Sequence, residues 1–169
     1  SNTLGLMMAI EALGIDGNIL LPSFTFIASA LSIKRCGKNL IFADIAANSC
    51  HLSSNTIAET IDKFNISAIL GVNLWGGCAP VVDIELLANK CNIPLFWDSA
   101  QAFGCTPIGS NQLCGNYGQL EVFSFHATKV LTCGEGGCIS TNNSELADCL
   151  RNIRSSYGVQ KNVTVNRTT

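Results

Sequence analysis

Short apolar runs alternate with stretches of helical spacing along the whole chain. Thr3 to Leu13 has that spacing, with Leu4, Met7, Met8 and Glu11–Ala12 winding around one cylinder and Gly14 as its stop. Ile19-Leu20-Leu21 is a strand-length apolar run closed by Pro22. Thr25 to Cys36 predicts a helix stopped by Gly37, and Asn39 to Asp44 predicts a strand. A helix capped by Ser53 or Ser54 and running through Phe64 would place Ala58, Ile61 and Phe64 on one face. Ala68 to Leu74 predicts a strand, Val82 to Cys91 a helix, and Pro94 to Trp97 a strand ending in Asp98. Glu121 to Phe125 and Gly137 to Ser140 predict further strands, and Ser144 to Ser155 a final helix.

Short apolar strands separated by helices predict an α/β fold of three layers. Its sheet is mostly parallel, with helices on both faces. In such sheets ligands sit beyond the carboxyl ends of the strands. Asp98 and the segment from Ser124 to Lys129 fall at or just after predicted strand ends, which is where chemistry is expected.

Composition narrows the picture. The 169 residues suffice for one domain, and 47% hydrophobic against 13% charged residues argues against disorder. A net charge of -2, with no basic run, argues against a nucleic-acid surface. No apolar stretch reaches the roughly 20 residues of a membrane-spanning helix. Nine cysteines without any C-x-x-C pair fit neither a disulfide framework nor a zinc site. They read as reduced, mostly buried thiols of a cytoplasmic protein, with no metal expected.

Four segments could carry chemistry, and each has an ordinary structural alternative. Lys129 follows a buried strand and precedes Gly134-Glu135-Gly136-Gly137; it is either a solvated turn lysine or an amine able to form an imine. Asp98 is either a helix cap or a carboxylate paired with a protonated ring nitrogen. Ser1-Asn2-Thr3-Leu4 opens a helix, so it is either a simple cap or a phosphate site. In Pro22-Ser23-Phe24-Thr25-Phe26, an aromatic ring could pack in the core or stack on a flat cofactor.

Taken together, these segments resemble the DegT/DnrJ/EryC1/StrS family of sugar aminotransferases, which depend on pyridoxal 5'-phosphate (PLP). The resemblance runs in order from Ser1 to about Gly158. It is carried by Ser-Asn-Thr-Leu-Gly-Leu at 1–6, Pro-Ser-Phe-Thr-Phe at 22–26, Phe-Ala-Asp at 42–44, Leu-Trp-Gly at 74–76 and Asp-Ser-Ala-Gln at 98–101. Ser-Phe-His-Ala-Thr-Lys at 124–129 with Gly-Glu-Gly-Gly at 134–137 is its most specific part, and Arg-Asn-Ile-Arg at 151–154 closes it. Seven ordered matches weigh far more than one glycine loop.

The resemblance implies the large PLP-binding domain of a type I aminotransferase, with a mixed seven-stranded sheet, working as a homodimer. It implies that Lys129 forms the internal aldimine and moves protons, that Asp98 meets the pyridine nitrogen and that Gln101 meets the phenolic oxygen. It also implies that Phe26 stacks on the ring, and that Thr3, the Leu4 backbone N–H and Ser124 hold the phosphate. The implied reaction moves an amino group from an amino-acid donor, glutamate, to a nucleotide-linked keto-sugar. Lys129 argues against the family's dehydratase branch.

Asn2 departs from the pattern where a small residue is usual, and Asn73 where His is frequent. Trp75 reads as a core residue. Residues 1–158 are expected to form the PLP-binding core and 159–169 a polar tail, with the family's C-terminal small domain absent and the chain a truncated piece. A type I PLP enzyme acting on a non-sugar substrate, and an inactive fragment, stay open as alternatives.

Overall fold

The computed structural model describes residues 1–154. Six strands form one sheet in the order β2-β1-β3-β4-β5-β6: β1 Asn18–Pro22, β2 Asn39–Ala43, β3 Ala68–Val72, β4 Leu95–Asp98, β5 Glu121–Ser124 and β6 Gly137–Ser140. All neighbours pair in parallel except β5 and β6, which form an antiparallel pair. Five helices cover the sheet: α1 Asn2–Ala12, α2 Ile27–Arg35, α3 Ser54–Ile61, α4 Val81–Lys90 and α5 Ser144–Arg154. The expected mostly parallel, three-layer α/β architecture is therefore present. The described residues form a sheet of six strands, one fewer than the seven that the resemblance implies. The end of the predicted last helix at Ser155 and the predicted polar tail 159–169 lie outside the described residues.

Two apolar layers sandwich the sheet. On one side Leu6, Ile10, Ile33 and Leu146 pack against Ile19, Leu21, Leu70 and Phe96. On the other Ile57, Val81 and Ile84 pack against Leu20, Ile69 and Trp97. Successive strand residues point to opposite faces, so a strand covered on both sides must be apolar throughout. β3 and β4 are buried at every position. At about 25 cal/mol per Å² of apolar area, each large side chain in these layers contributes roughly 1.5–3 kcal/mol.

Three expectations need correction. In α1 the buried residues are Asn2, Gly5, Leu6, Ala9 and Ile10, while Leu4 faces solvent. This helix is apolar nearly all round, so periodicity could not select its inward face. α3 stops at Ile61, which leaves Phe64 exposed, and its buried positions are Ile57 and Thr60. The cysteines are free but not mostly buried: Cys114 is buried, while Cys91, Cys133 and Cys138 are exposed. Cys91 caps the end of α4, Cys133 lies in a loop and Cys138 sits on the edge strand β6, all places that a core does not cover.

Candidate functional site

The carboxyl ends of β1, β3, β4 and β5 point the same way, and the N-terminus of α1 meets them there. Asp98, the last residue of β4, is 4% exposed and tied to two other elements. The Asn2 amide Nδ2 at the start of α1 donates to Asp98 Oδ1 at 3.1 Å and to the Val122 carbonyl at 3.3 Å. The Ser29 hydroxyl in the first turn of α2 donates to Asp98 Oδ2 at 2.7 Å. The Ala100 backbone N–H completes the set on Oδ1 at 3.2 Å. Because Ser29 spends its proton on Asp98, it accepts from Thr25 Oγ1, 3.0 Å away. Sequence reasoning missed both Asn2 and Ser29 as partners of Asp98. Asn2 was legible only as a departure from a pattern, and Ser29 carried no signal within a helix.

Burial pushes the Asp98 carboxyl up from its ordinary value, while Ser29, Ala100, Asn2 and the positive charge of Lys129 pull it back down. A carboxylate offers about four acceptor positions. Oδ1 has two donors and Oδ2 one, so an acceptor position on Oδ2 remains open. A buried carboxylate with room for one more donor is suited to a cationic N–H partner.

Lys129 sits in a bend of the connection between β5 and β6, its N–H bonded to the His126 carbonyl at 2.9 Å. The connection is pinned where Phe125 N–H donates to the Gly136 carbonyl and Cys133 N–H to the Phe125 carbonyl, both at 3.0 Å. His126 organises the turn, its Nδ1 accepting from the Thr128 N–H at 3.2 Å. Lys129 Nζ forms no hydrogen bond or ion pair among the described residues, yet lies close enough to Asp98 to favour its ionised form.

Ser124 and the first residues of α1 are brought near one another through the same hairpin. Ser124 pairs with Gly137 across the β5–β6 ladder. A Cβ at Gly137 would stand 2.7 Å from the Phe123 carbonyl oxygen and 3.2 Å from the Asn2 nitrogen, so only glycine lets β6 approach the start of α1 this closely. First-turn N–H groups have no intrahelical acceptor. Of these, Leu4 N–H is met by Ser1 Oγ, at 3.4 Å. The Thr3 hydroxyl has no partner among the described residues, and Ser124 Oγ accepts from His126 N–H at 3.3 Å. A helix start with its positive dipole end, carrying Thr3, has the chemistry that can hold a phosphate.

The aromatic residues lie differently from the packing alternative. Phe26 is 63% exposed at the cap of α2, not in the core. Trp75 is also no core residue: it is 70% exposed, holds a φ of 55° and meets Phe24 edge-on with centroids 5.4 Å apart. The left-handed backbone at Trp75 and Gly76 turns the chain sharply after β3 and presents the indole outward. Gln101 braces that turn. Its Oε1 accepts from Trp75 N–H at 2.9 Å, and its carbonyl from Gly76 N–H at 3.0 Å. The Gln101 amide Nε2 is left without a partner among the described residues. Asn73 is structural: buried, it donates to Ser99 Oγ at 3.0 Å and accepts from Ala79 N–H at 2.9 Å.

The turn is also held from below by His51, whose Nε2 accepts from Leu74 N–H at 3.2 Å. Burial lowers the His51 pKa. Accepting a backbone N–H likewise requires Nε2 to be unprotonated. A histidine whose folded pKa is depressed gives stability that is complete above its unfolded value of about 6.5 and lost as pH falls toward the folded value. The midpoint of denaturation should therefore drop between about pH 7 and pH 5 more in the parent chain than in His51→Gln. Equal pH slopes in urea titrations of the two would show that His51 does not couple to folding.

A groove of about 810 Å³ lies elsewhere, lined by Met7, Glu11, Arg35 and Lys38 among others. No group of three or more potential metal ligands occurs among the described residues. No helix among them is long and apolar enough to cross a membrane.

The sequence matches the model of the DegT/DnrJ/EryC1/StrS aminotransferase family over residues 1–168. It is 31% identical over 154 residues to a GDP-perosamine synthase of Vibrio cholerae, covering 89% of this chain and 41% of that protein. Among solved structures, PseC of Helicobacter pylori, an aminotransferase involved in pseudaminic acid biosynthesis, superposes with a TM-score of 0.86 at 27% identity, covering 97% of this chain and 44% of PseC. NtdA of Bacillus subtilis with bound cofactor PMP superposes with a TM-score of 0.82 at 27% identity, covering 100% of this chain and 38% of NtdA. The chain thus spans about two fifths of the length of the relatives it matches.

Proposed function

We propose a function from one premise: the chain belongs to the DegT/DnrJ/EryC1/StrS aminotransferase family, whose enzymes depend on PLP. Residues 1–158 are the PLP-binding core of an aminotransferase that moves an amino group from an amino-acid donor, glutamate, to a nucleotide-linked keto-sugar. The observation that carries this reading is buried Asp98 at the end of β4, held by Asn2, Ser29 and Ala100 with one acceptor position open, on the same side as Lys129, whose amine makes no hydrogen bond or ion pair among the described residues.

The residues present fit the cofactor. Asp98 Oδ2 would take the ring N–H. The exposed face of Phe26 would lie against the ring, and the free Nε2 of Gln101 would donate to its phenolic oxygen. Thr3, the first N–H groups of α1 and Ser124 would hold the phosphate. Bound there, PLP would supply an aldehyde for an amine and a protonated ring that withdraws electrons from the reacting carbon. The chain's own share is positioning and proton transfer. Lys129 Nζ would hold the cofactor and would be the chain's own group for moving a proton at the reacting carbon. Asp98 would keep the ring nitrogen protonated, which a buried carboxylate does best when Asn2, Ser29 and Ala100 stabilise its charge.

The direct test mixes the chain with PLP, records the visible spectrum, reduces with borohydride and maps the label. Label on Lys129 is expected; a folded chain that takes none would sink the proposal for this piece. Donor and acceptor are then tested in the family's full-length context, with glutamate and nucleotide-linked keto-sugars.

A further prediction follows from the Asp98 donors. Hydrogen bonds to charged groups are worth about 1.5–3 kcal/mol. Asn2→Ala and Ser29→Ala should each weaken PLP retention roughly tenfold or more, read by titrating PLP against the quenching of Trp fluorescence. Unchanged affinity in both variants would mean that these donors do not support the ring-nitrogen contact.

A further inference from the structure

Three of the nine cysteines converge beneath the wall of the site. Cys78 follows the turn that carries Trp75 and Gly76, whereas Cys105 and Cys114 lie on the long segment between β4 and β5. Cys78 Sγ and Cys114 Sγ are 3.3 Å apart, across 36 residues of chain. The Cys105 thiol also faces Cys78, and donates to the Gly76 carbonyl at 3.2 Å. Cys114 is buried against Ala102 and Phe123, while Cys78 and Cys105 are only partly buried beside them.

We propose that Cys78 and Cys114 are an oxidation site that closes to a disulfide on exposure to a low-molecular-weight disulfide. A disulfide has its sulfurs about 2.05 Å apart, so the two atoms need approach by only about 1.3 Å from where they already stand. The step is thiol–disulfide exchange. The half-buried Cys78 loses its proton and attacks the small disulfide, whose S–S bond breaks to release one thiol. Cys114 then loses its proton and attacks the Cys78 sulfur of the mixed disulfide, releasing the second thiol. The two cysteines are oxidised by two electrons, the small disulfide is reduced by two, and both protons end on the released thiols.

The bond ties the turn after β3 to the segment after β4. These are the two pieces that Gln101 already joins through Trp75 and Gly76. The oxidised chain therefore has its Trp75 wall fixed covalently rather than by hydrogen bonds alone. Burial pushes both thiols up, and the Glu121 carboxyl and Cys105, the ionisable groups facing the pair, push in the same direction. Exchange is accordingly slow at neutral pH and quickens by up to about tenfold per pH unit as thiolate forms.

The experiment treats the folded chain with oxidised glutathione, blocks remaining thiols and digests without reduction. Chymotryptic cleavage after Trp75, Phe103, Leu113 and Tyr117 puts Cys78, Cys105 and Cys114 on separate peptides. The expected product is a Cys78–Cys114 linked pair lacking two hydrogens, and Cys114→Ser should stop at a mixed disulfide on Cys78. A link through Cys105 instead, or no link in a chain that is folded by circular dichroism, would overturn the assignment. Because no cofactor takes part, the result is independent of PLP binding.

Discussion

Lys129→Ala should abolish borohydride-fixed incorporation of PLP and the accompanying visible band while leaving the fold intact. The expectation combines two features of this residue. Its side chain makes no hydrogen bond or ion pair among the described residues, so its loss removes no interaction on which packing depends. Exposed or half-exposed positions of this kind usually change stability by no more than about 0.5 kcal/mol. Its chemistry, by contrast, has no substitute nearby among the described residues. Lys34, Lys38, Lys63 and Lys90 lie on α2, before β2, after α3 and at the end of α4, away from the Asp98 edge. Lys129→Arg is the sharper control. It keeps the positive charge that favours ionised Asp98 but cannot give the neutral amine that nucleophilic attachment requires. Both variants should therefore lose covalent label, with Arg keeping more non-covalent affinity for PLP than Ala. Full labelling of either variant, with the label mapped to another lysine, would remove Lys129 from the site.

The residues in this prediction were legible in the sequence because they sit where simple rules apply. Asp98 and Ser124 end apolar strands, and the strand–turn–glycine pattern around Lys129 marks a place where backbone comes close to something. Strand positions were legible for a related reason: a parallel strand covered on both faces has to be continuously apolar, as Ala68–Val72 is. What remained hidden depends on partners distant in sequence. Asn2 reaches Asp98 across 96 residues and Ser29 across 69, and nothing local in either stretch encodes the meeting. Trp75 reads as a core residue from its hydrophobicity alone. Its exposure follows from a left-handed turn that only the pairing of Gln101 with the Trp75 and Gly76 backbone reveals. The thiol pair was hidden in the same way, because Cys78 and Cys114 have no spacing that predicts contact.

Gly71→Ala should be the most damaging single methyl that this sheet can receive. Gly71 lies in β3 opposite Trp97 in β4, and a Cβ built there would stand 2.3 Å from the indole Cε3 and Cζ3 atoms. The indole is fully buried between β3, α4 and the Tyr117 loop, so it has no solvent-facing direction in which to yield. Overpacking of this kind typically costs about 1–3 kcal/mol, and in a chain this size each kcal/mol lowers the melting temperature by about 2–4 °C. Trp97→Phe should relieve the clash, since the six-membered ring that meets the new methyl is vacated. Phe also removes an indole N–H that has no hydrogen-bond partner among the described residues, which offsets part of the lost contact area. The double variant should therefore be more stable than the sum of the single changes predicts, by about 0.5–3 kcal/mol, the range found for residues in contact. The site should register the same event. Asp98 follows Trp97 directly and pairs with Val72, which follows Gly71, so a displaced indole shifts the carboxylate away from Asn2 and Ser29. Gly71→Ala should consequently weaken PLP retention at temperatures where the chain is still folded, and Trp97→Phe in the same chain should restore it. Additive stabilities in the double-mutant cycle, or PLP affinity indifferent to Gly71→Ala, would show that the sheet beneath Asp98 does not set its position.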